Sequence, residues 1–349
     1  MNLLAGAILA AERISFPDAV TLGLVDALVM LGARRLARRT NEEEARFVAE
    51  MASQIAGAQN NRVQGCRGIG EREELPPEFF DLILGPQRKY SCCRYPDPTT
   101  SLAEAEILAL DETIAHAAIE DGQRILELGA GWGSLGLRLA EQFTDATIVC
   151  VPNSQAQRGY VQARARERSL PNLTAVAADA NAFAAGQRFD RVLSVETFGQ
   201  IADWRAPLAQ AYDWLEPDGR LFVHVFSHRS RSYRLGGKDP IGGLASHFFA
   251  GGLMPAQNLP HRFAELFSVE AEWRWSGADY QRTALDWLAD FDSNRARLDE
   301  ILSEVYGAQA ALWRRRWRLF FLATAGLFGY AGGSEWGVGH YRMAPVPAR

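Results

Sequence analysis

The chain has 349 residues, 48% of them hydrophobic, enough for a large buried core in one big domain or two smaller ones. A formal net charge of −5 gives no electrostatic footprint for nucleic acid, and no long basic run precedes the late "WRRRWR". Four cysteines, Cys66, Cys92, Cys93 and Cys150, lack zinc-ligand spacing and two are adjacent, so neither a disulfide framework nor a structural metal is expected, and a cytoplasmic setting fits.

The N-terminal "MNLLAGAILAAERI" lacks the charged region of a signal peptide, and the apolar run Ala19–Ala33 carries Asp26 and is too short to span a bilayer. No targeting or integral membrane segment is therefore expected. Residues 1–75 read as a helical N-terminal region, whose "ARRLARR" and "NEEEARFVAE" faces suit solvent-facing sides of amphipathic helices. Their role is open between covering a site and forming a homodimer interface. A connector punctuated by Gly and Pro follows, and Thr100 or Ser101 caps a helix to about Glu120.

From there, strands "RILELG", "TIVCVP", "LTAVAAD", "FDRVLSVE" and "GRLFVHVF" alternate with helical stretches, which implies a parallel sheet covered on both faces. After Ser227 the rhythm breaks. An insertion over about 227–262 precedes "FSVEAEWRW", helical segments occupy about 281–328, and "EWGVGHYRM" forms a last strand. Long insertions at strand carboxyl ends commonly build substrate lids. The apolar residues Leu319 to Leu327 read as a buried helix packed against the sheet.

The stretch "ILELGAGWGSLGL" is a nucleotide cradle, in which glycines let backbone amides approach a ligand at a helix N-terminus. It is not a dinucleotide fingerprint: the third glycine comes one position early, and the second strand ends in "VCVPNSQ" without the ribose-binding acid. Its G-x-G-x-G spacing after "LEL" resembles motif I of class I S-adenosylmethionine (SAM) methyltransferases. "YSCC", "VPNSQAQ", "FDRVLSVETF", "LFVHVFSH", "FFAGGLMPA", "GADYQRT" and "EWGVGHY" follow the order seen in the cyclopropane-fatty-acid synthase family, and are similar above all to its coclaurine N-methyltransferase-like branch.

That resemblance implies an α/β, Rossmann-like fold with a seven-stranded, mostly parallel sheet, an antiparallel last hairpin strand and a methyltransferase domain over residues 76–349. It also implies a SAM site. Gly129, Gly131 and Gly133 take the amino-acid end, Tyr90 and Ser91 close over it, Asn153 and Gln157 replace the usual ribose acid, Asp179 meets the adenine, and Glu127 orients the loop. Glu196, at a strand end, is the candidate proton acceptor for an amine nitrogen. The branch pattern S-V-E-x-F-E-H is broken here, because Gly199 stands for the second acid and Gln200 for the histidine.

In the lipid branch a bicarbonate, held by a Cys backbone, Glu, His and Tyr, removes the proton after alkene methylation. Cys92, His224 and Tyr280 match three of those positions, but Gly199 removes the acid, which argues against bicarbonate here. Trp132, Phe198, Phe248, Phe249, Trp273 and Tyr280 fall in segments that face the family's pocket, where aromatic faces stabilise cations. The expected reaction is N-methylation of a small cyclic or aryl-alkyl amine; the alternative is C-methylation or cyclopropanation-like modification of an unsaturated fatty acyl chain or phospholipid.

Overall fold

The computed structural model describes residues 16–55, 75–176, 183, 185–201, 203–235 and 252–347, with the backbone alone for 51–55. Cys66 and the middle of the expected lid lie outside them. Five strands, β1 (Arg124–Leu128), β2 (Thr147–Val151), β3 (Leu173–Ala175), β4 (Phe189–Val195) and β5 (Leu215–His228), pair in parallel. Two short strands, β6 (Tyr233–Arg234) and β7 (Leu253–Met254), pair with each other, and β8 (Phe267–Ser276) and β9 (Trp336–Pro345) complete the main sheet in the order β3-β2-β1-β4-β5-β9-β8. β9 runs antiparallel to both β5 and β8. This is the seven-stranded, mostly parallel arrangement expected.

Strand alternation divides the core. Ile125, Ile148, Leu193 and Phe222 pack beneath Leu110 and Ile114 of α4, Leu135 and Leu139 of α5 and Val161 of α6, where α4 is Leu102–Ala117, α5 Ser134–Gln142 and α6 Gln155–Glu167. Leu126, Val192, Leu221 and Val223 face the other way, towards Leu208 of α7 (Arg205–Trp214). The near-continuous apolar strands are thus covered on both sides. Ser101 caps α4 in a reciprocal capping box with Glu104, and left-handed Ala118 stops the helix short of the expected Glu120.

A third core lies at the carboxyl ends of β5 and β8 and the amino end of β9, where Phe226, Trp275, Trp336 and Val338 meet helices. These are α1 (Asp18–Ala37), α3 (Pro77–Asp81), α8 (Gly277–Ser293), α9 (Arg295–Tyr306) and α10 (Ala310–Gly329); α2 (Asn41–Ile55) follows α1. The expectation that Leu319–Leu327 packs on the sheet needs correction, because α10 lies chiefly against α8 and α1. Leu319, Phe320, Phe321 and Leu322 are all buried. Four successive helical residues point around the whole circumference, so only helices on several sides can enclose them.

The segment after α3 is tied down by α8. Asp279 accepts from Arg94 Nη1 at 2.5 Å and from the Tyr95 amide at 2.9 Å, and Thr283 Oγ1 accepts from the Cys93 amide at 3.0 Å. Among the described residues no helix is long and apolar enough to cross a membrane. Asp279→Ala strands the Tyr95 amide and leaves Arg94 with Glu112 alone, and should lower stability by about 1 kcal/mol, read as a lower urea midpoint with unchanged slope; an unaltered midpoint would show that the clamp carries no stability.

Candidate active site

The strand order reverses between β1 and β4, and the crevice outside the carboxyl ends at such a switch point is where open α/β sheets bind ligands. A pocket opens there. Gly129, Gly131 and Gly133 all have left-handed φ, at +68°, +53° and +78°. A Cβ on Gly133 would sit 2.7 Å from Val161, whereas the space around Gly131 is open to 3.9 Å. The chain can therefore turn tightly into α5 while leaving room for a ligand over the loop.

Glu127 forms the floor of this loop. It accepts from the Cys150 thiol at 3.2 Å and from the Gly136 amide of α5, and burial pushes its carboxyl up to about 7. Asn153 and Gln157 line the same cavity from the end of β2 and the start of α6. Gln157 Oε1 is buried without a hydrogen-bond partner, an acceptor set to meet a ligand donor. Tyr90 and Ser91 line the opposite wall, and Lys89 Nζ holds that wall in place by donating to Ser91 Oγ and the Cys92 carbonyl, each at 2.6 Å.

Glu196 stands at the carboxyl end of β4 with φ +58°, a left-handed conformation that costs a non-glycine residue energy and turns its carboxylate into the pocket. Its amide donates to the His224 carbonyl at 2.8 Å. Thr197 Oγ1 bonds the Leu128 carbonyl at 3.2 Å, and Trp204 Nε1 bonds the Phe198 carbonyl at 3.0 Å, locking the turn to β1 and to the start of α7. Burial pushes the Glu196 carboxyl up to about 8; the Phe226 amide, 3.3 Å from Oε2, and the nearby Lys89 charge oppose this without overcoming it. His224 Nε2 lies 3.2 Å from Glu196 Oε1.

Not every candidate reaches the pocket. Tyr280, Trp132 and Gln200 line it. Phe198, expected there, is buried against Trp204 at 5.0 Å because the short 3₁₀ turn Phe198–Gln200 rotates it into the core. Trp273, also expected there, stacks on His116 of α4 at 3.9 Å. The Cys92 side chain is fully buried in the third core, leaving only its backbone near the site. His224 is fully buried behind Glu196. Asp179, Phe248 and Phe249 lie outside the described residues. Sequence reasoning also missed Lys89, Trp287, Trp317 and Phe320, which line the cavity; the three aromatics occupy helical spacing that reads as ordinary core.

Gly199 is buried, and a Cβ there would lie 2.5 Å from the Phe226 ring. The room for an acidic side chain at this position is thus filled by an aromatic one. Among the described residues, no group of three or more His, Cys, Asp and Glu could hold a metal ion.

A seven-stranded sheet in this order, with one reversed strand and a glycine loop at its switch point, is the arrangement expected of a class I SAM-dependent methyltransferase. Comparison with known proteins narrows the assignment: residues 63–330 match the family model described as mycolic acid cyclopropane synthetase, and the chain belongs to that family. (S)-Coclaurine N-methyltransferase from Papaver somniferum is 31% identical over 271 residues, covering 76% of this chain and 77% of its own. Cyclopropane-fatty-acyl-phospholipid synthase from Escherichia coli (strain K12) is 25% identical over 280 residues, covering 78% of this chain and 68% of its own. A crystal structure of coclaurine N-methyltransferase bound to N-methylheliamine and SAH aligns with TM-score 0.87 and 26% identity over 98% of this chain and 99% of that one.

The protein is a SAM-dependent methyltransferase of a small-molecule acceptor. The residues here fit that cofactor, since the orphaned Gln157 acceptor and the open space over Gly131 share one cavity. Gly199→Glu should not recreate the missing acid. It should instead lower stability by about 2 kcal/mol through overpacking, and adding Phe226→Ala should recover part of that loss in a double-mutant cycle; additivity of the two losses would show that the ring does not fill the site.

Proposed function

We propose that this enzyme methylates the nitrogen of a small cyclic or aryl-alkyl amine, with Glu196 as the proton acceptor. The observation that carries the reading is the buried Glu196 carboxyl, turned into the pocket at the end of β4 beside Tyr280 and Phe226 and pushed up to about 8 by burial. The relatives named for coclaurine N-methylation, and the solved relative holding N-methylheliamine, support an amine acceptor.

Such an amine, with a pKa of roughly 10, arrives as an ammonium and has no free lone pair. The Glu196 carboxylate attracts it and takes one proton, which frees the nitrogen to attack. When bound, SAM supplies an electrophilic methyl group on a sulfonium. The product is again an ammonium, so each turnover releases one proton. Trp132, Tyr280 and Trp287 offer aromatic faces to the cationic nitrogen, and burial together with the Glu196 charge keeps the Tyr280 phenol protonated. Phe226 and Gln200 complete the acceptor side.

On the cofactor side, Gly129, Gly131 and Gly133 with Tyr90 and Ser91 hold the amino-acid end, Asn153 and Gln157 the ribose, and Glu127 stiffens the loop from below. Asp179 keeps its adenine role by resemblance. An unsaturated acyl chain is the weaker acceptor, because the acid that the lipid branch supplies for bicarbonate is Gly199 here, with Phe226 in its place.

The test is methyl transfer from radiolabelled SAM to cyclic and aryl-alkyl amines and, separately, to unsaturated phospholipids. Label should appear on an amine and fall about 1,000-fold in Glu196→Gln. Glu196 accepts a proton only as the anion, so kcat/KM should rise about tenfold per pH unit up to about 8 and then level off. Label in the phospholipids, or an amine rate indifferent to Glu196→Gln, would contradict the proposal.

A further inference from the structure

Glu196 is not the end of its hydrogen-bonded surroundings. β5 and β9 pair with His224 directly opposite His340, so the two rings share one face of the sheet. His224 Nδ1 lies 2.7 Å from His340 Nε2, and His340 Nδ1 lies 2.8 Å from His116 Nδ1 on the last turn of α4. His224 and His340 are fully buried, whereas His116 is partly exposed and does not line the pocket. At the inner end, Glu196 Oε1 and His224 Nε2 lie 3.2 Å apart, both buried and neither with a hydrogen-bond partner, so a small rotation of the carboxyl is what joins them.

We propose that His224, His340 and His116 form a proton relay through which Glu196 exchanges its proton with solvent while substrate covers it in the pocket. The proposal rests on Glu196 being the base. Its need is simple: an enzyme whose resting Glu196 is protonated must lose that proton before it can accept one from a bound ammonium, and the pocket side is then blocked.

The relay has two fully paired arrangements. With Glu196 protonated, its O–H points to His224 Nε2, His224 Nδ1–H to His340 Nε2, and His340 Nδ1–H to His116 Nδ1; His116 carries its proton on Nε2. When Nε2–H of His116 gives its proton to water, each of the other protons moves one bond outwards. Glu196 becomes a carboxylate that accepts from His224 Nε2–H. The carboxylate then takes the substrate proton and, after product leaves, releases it to water through the open pocket. A proton re-entering at His116 restores the first arrangement, so no ring has to turn and one proton is released per cycle.

Neutral rings are what this exchange requires, and the surroundings favour them. Burial, the Lys89 charge and the neighbouring imidazoles hold His224 and His340 well below the usual histidine range. Burial lowers His116 as well, with Arg94 and Arg342 acting in the same sense and Glu112 opposing them. Trp273 stacks on His116 and Trp275 packs edge-on to His224, fixing the rings in place. This gives Trp273 a role outside the pocket.

The test compares wild type with His116→Ala and His116→Phe, the second keeping an aromatic ring against Trp273. Below about pH 8, where Glu196 rests protonated, kcat should fall about tenfold in both, with KM for the amine little changed. Above that pH the deficit should close. Added imidazole should restore His116→Ala but not His116→Phe, whose ring fills the space. A deficit that is equal at every pH and unmoved by imidazole would overturn the relay, as would wild-type rates in both variants. In either case Glu196→Gln separates the two claims: if it abolishes amine methylation, Glu196 remains the base and only the relay fails; if it does not, the base assignment has failed first.

Discussion

The account depends on where Glu196 is held. A carboxylate one residue past a parallel strand would ordinarily reach water, yet here a left-handed backbone and three locking bonds, from its own amide, Thr197 and Trp204, turn it into an apolar pocket. Removing water from a carboxylate disfavours its charge, and that burial lifts the group to about 8, where it can exchange a proton near neutrality. The glycine loop is coupled to the same turn, since Thr197 also packs where a side chain on Gly129 would lie. Cofactor cradle and base are thus parts of one local structure.

The departures from the branch pattern make sense against this background. With Gly199 in the 3₁₀ turn, the Phe226 ring approaches the backbone, and the pocket becomes more apolar around the remaining carboxyl. Losing the second acid removes a like charge, which by itself favours the ionised form, so it is burial that keeps the proton affinity of the one remaining base raised towards neutrality. Lys89 limits the effect, because its buried ammonium favours the ionised form of Glu196. Its hydrogen bonds to Ser91 and to the Cys92 carbonyl show why that charge stays in place.

Much of the architecture was legible because it rests on local signals. Strand alternation located β1, β2, β4 and β5, glycine spacing located the loop, and the cap expected at Thr100 or Ser101 located the start of α4. Glu196 was suggested by its place at a strand end, and Asn153 and Gln157 by the resemblance to the family. What stayed hidden depends on pairing across the chain. Nothing near His116 or His340 announces the other, and only the β5–β9 register brings the imidazoles together. Trp273 was misplaced for the same reason: its face is set by its pairing with His340, which the alternation of β8 alone does not reveal. Phe198 was misplaced because a 3₁₀ turn has no two-residue period, and Trp287, Trp317 and Phe320 because a core helix and a pocket wall share the same spacing.

The central claim is that the pocket holds Glu196 protonated well above the ordinary carboxyl range. The most direct measurement is a pH titration by difference infrared spectroscopy, following the protonated-carboxyl C=O band that disappears in Glu196→Gln. The account predicts a band that is lost with a midpoint of about 8. A midpoint near the unperturbed glutamate value of about 4.3 would mean that water reaches the carboxylate, and would contradict the site as described.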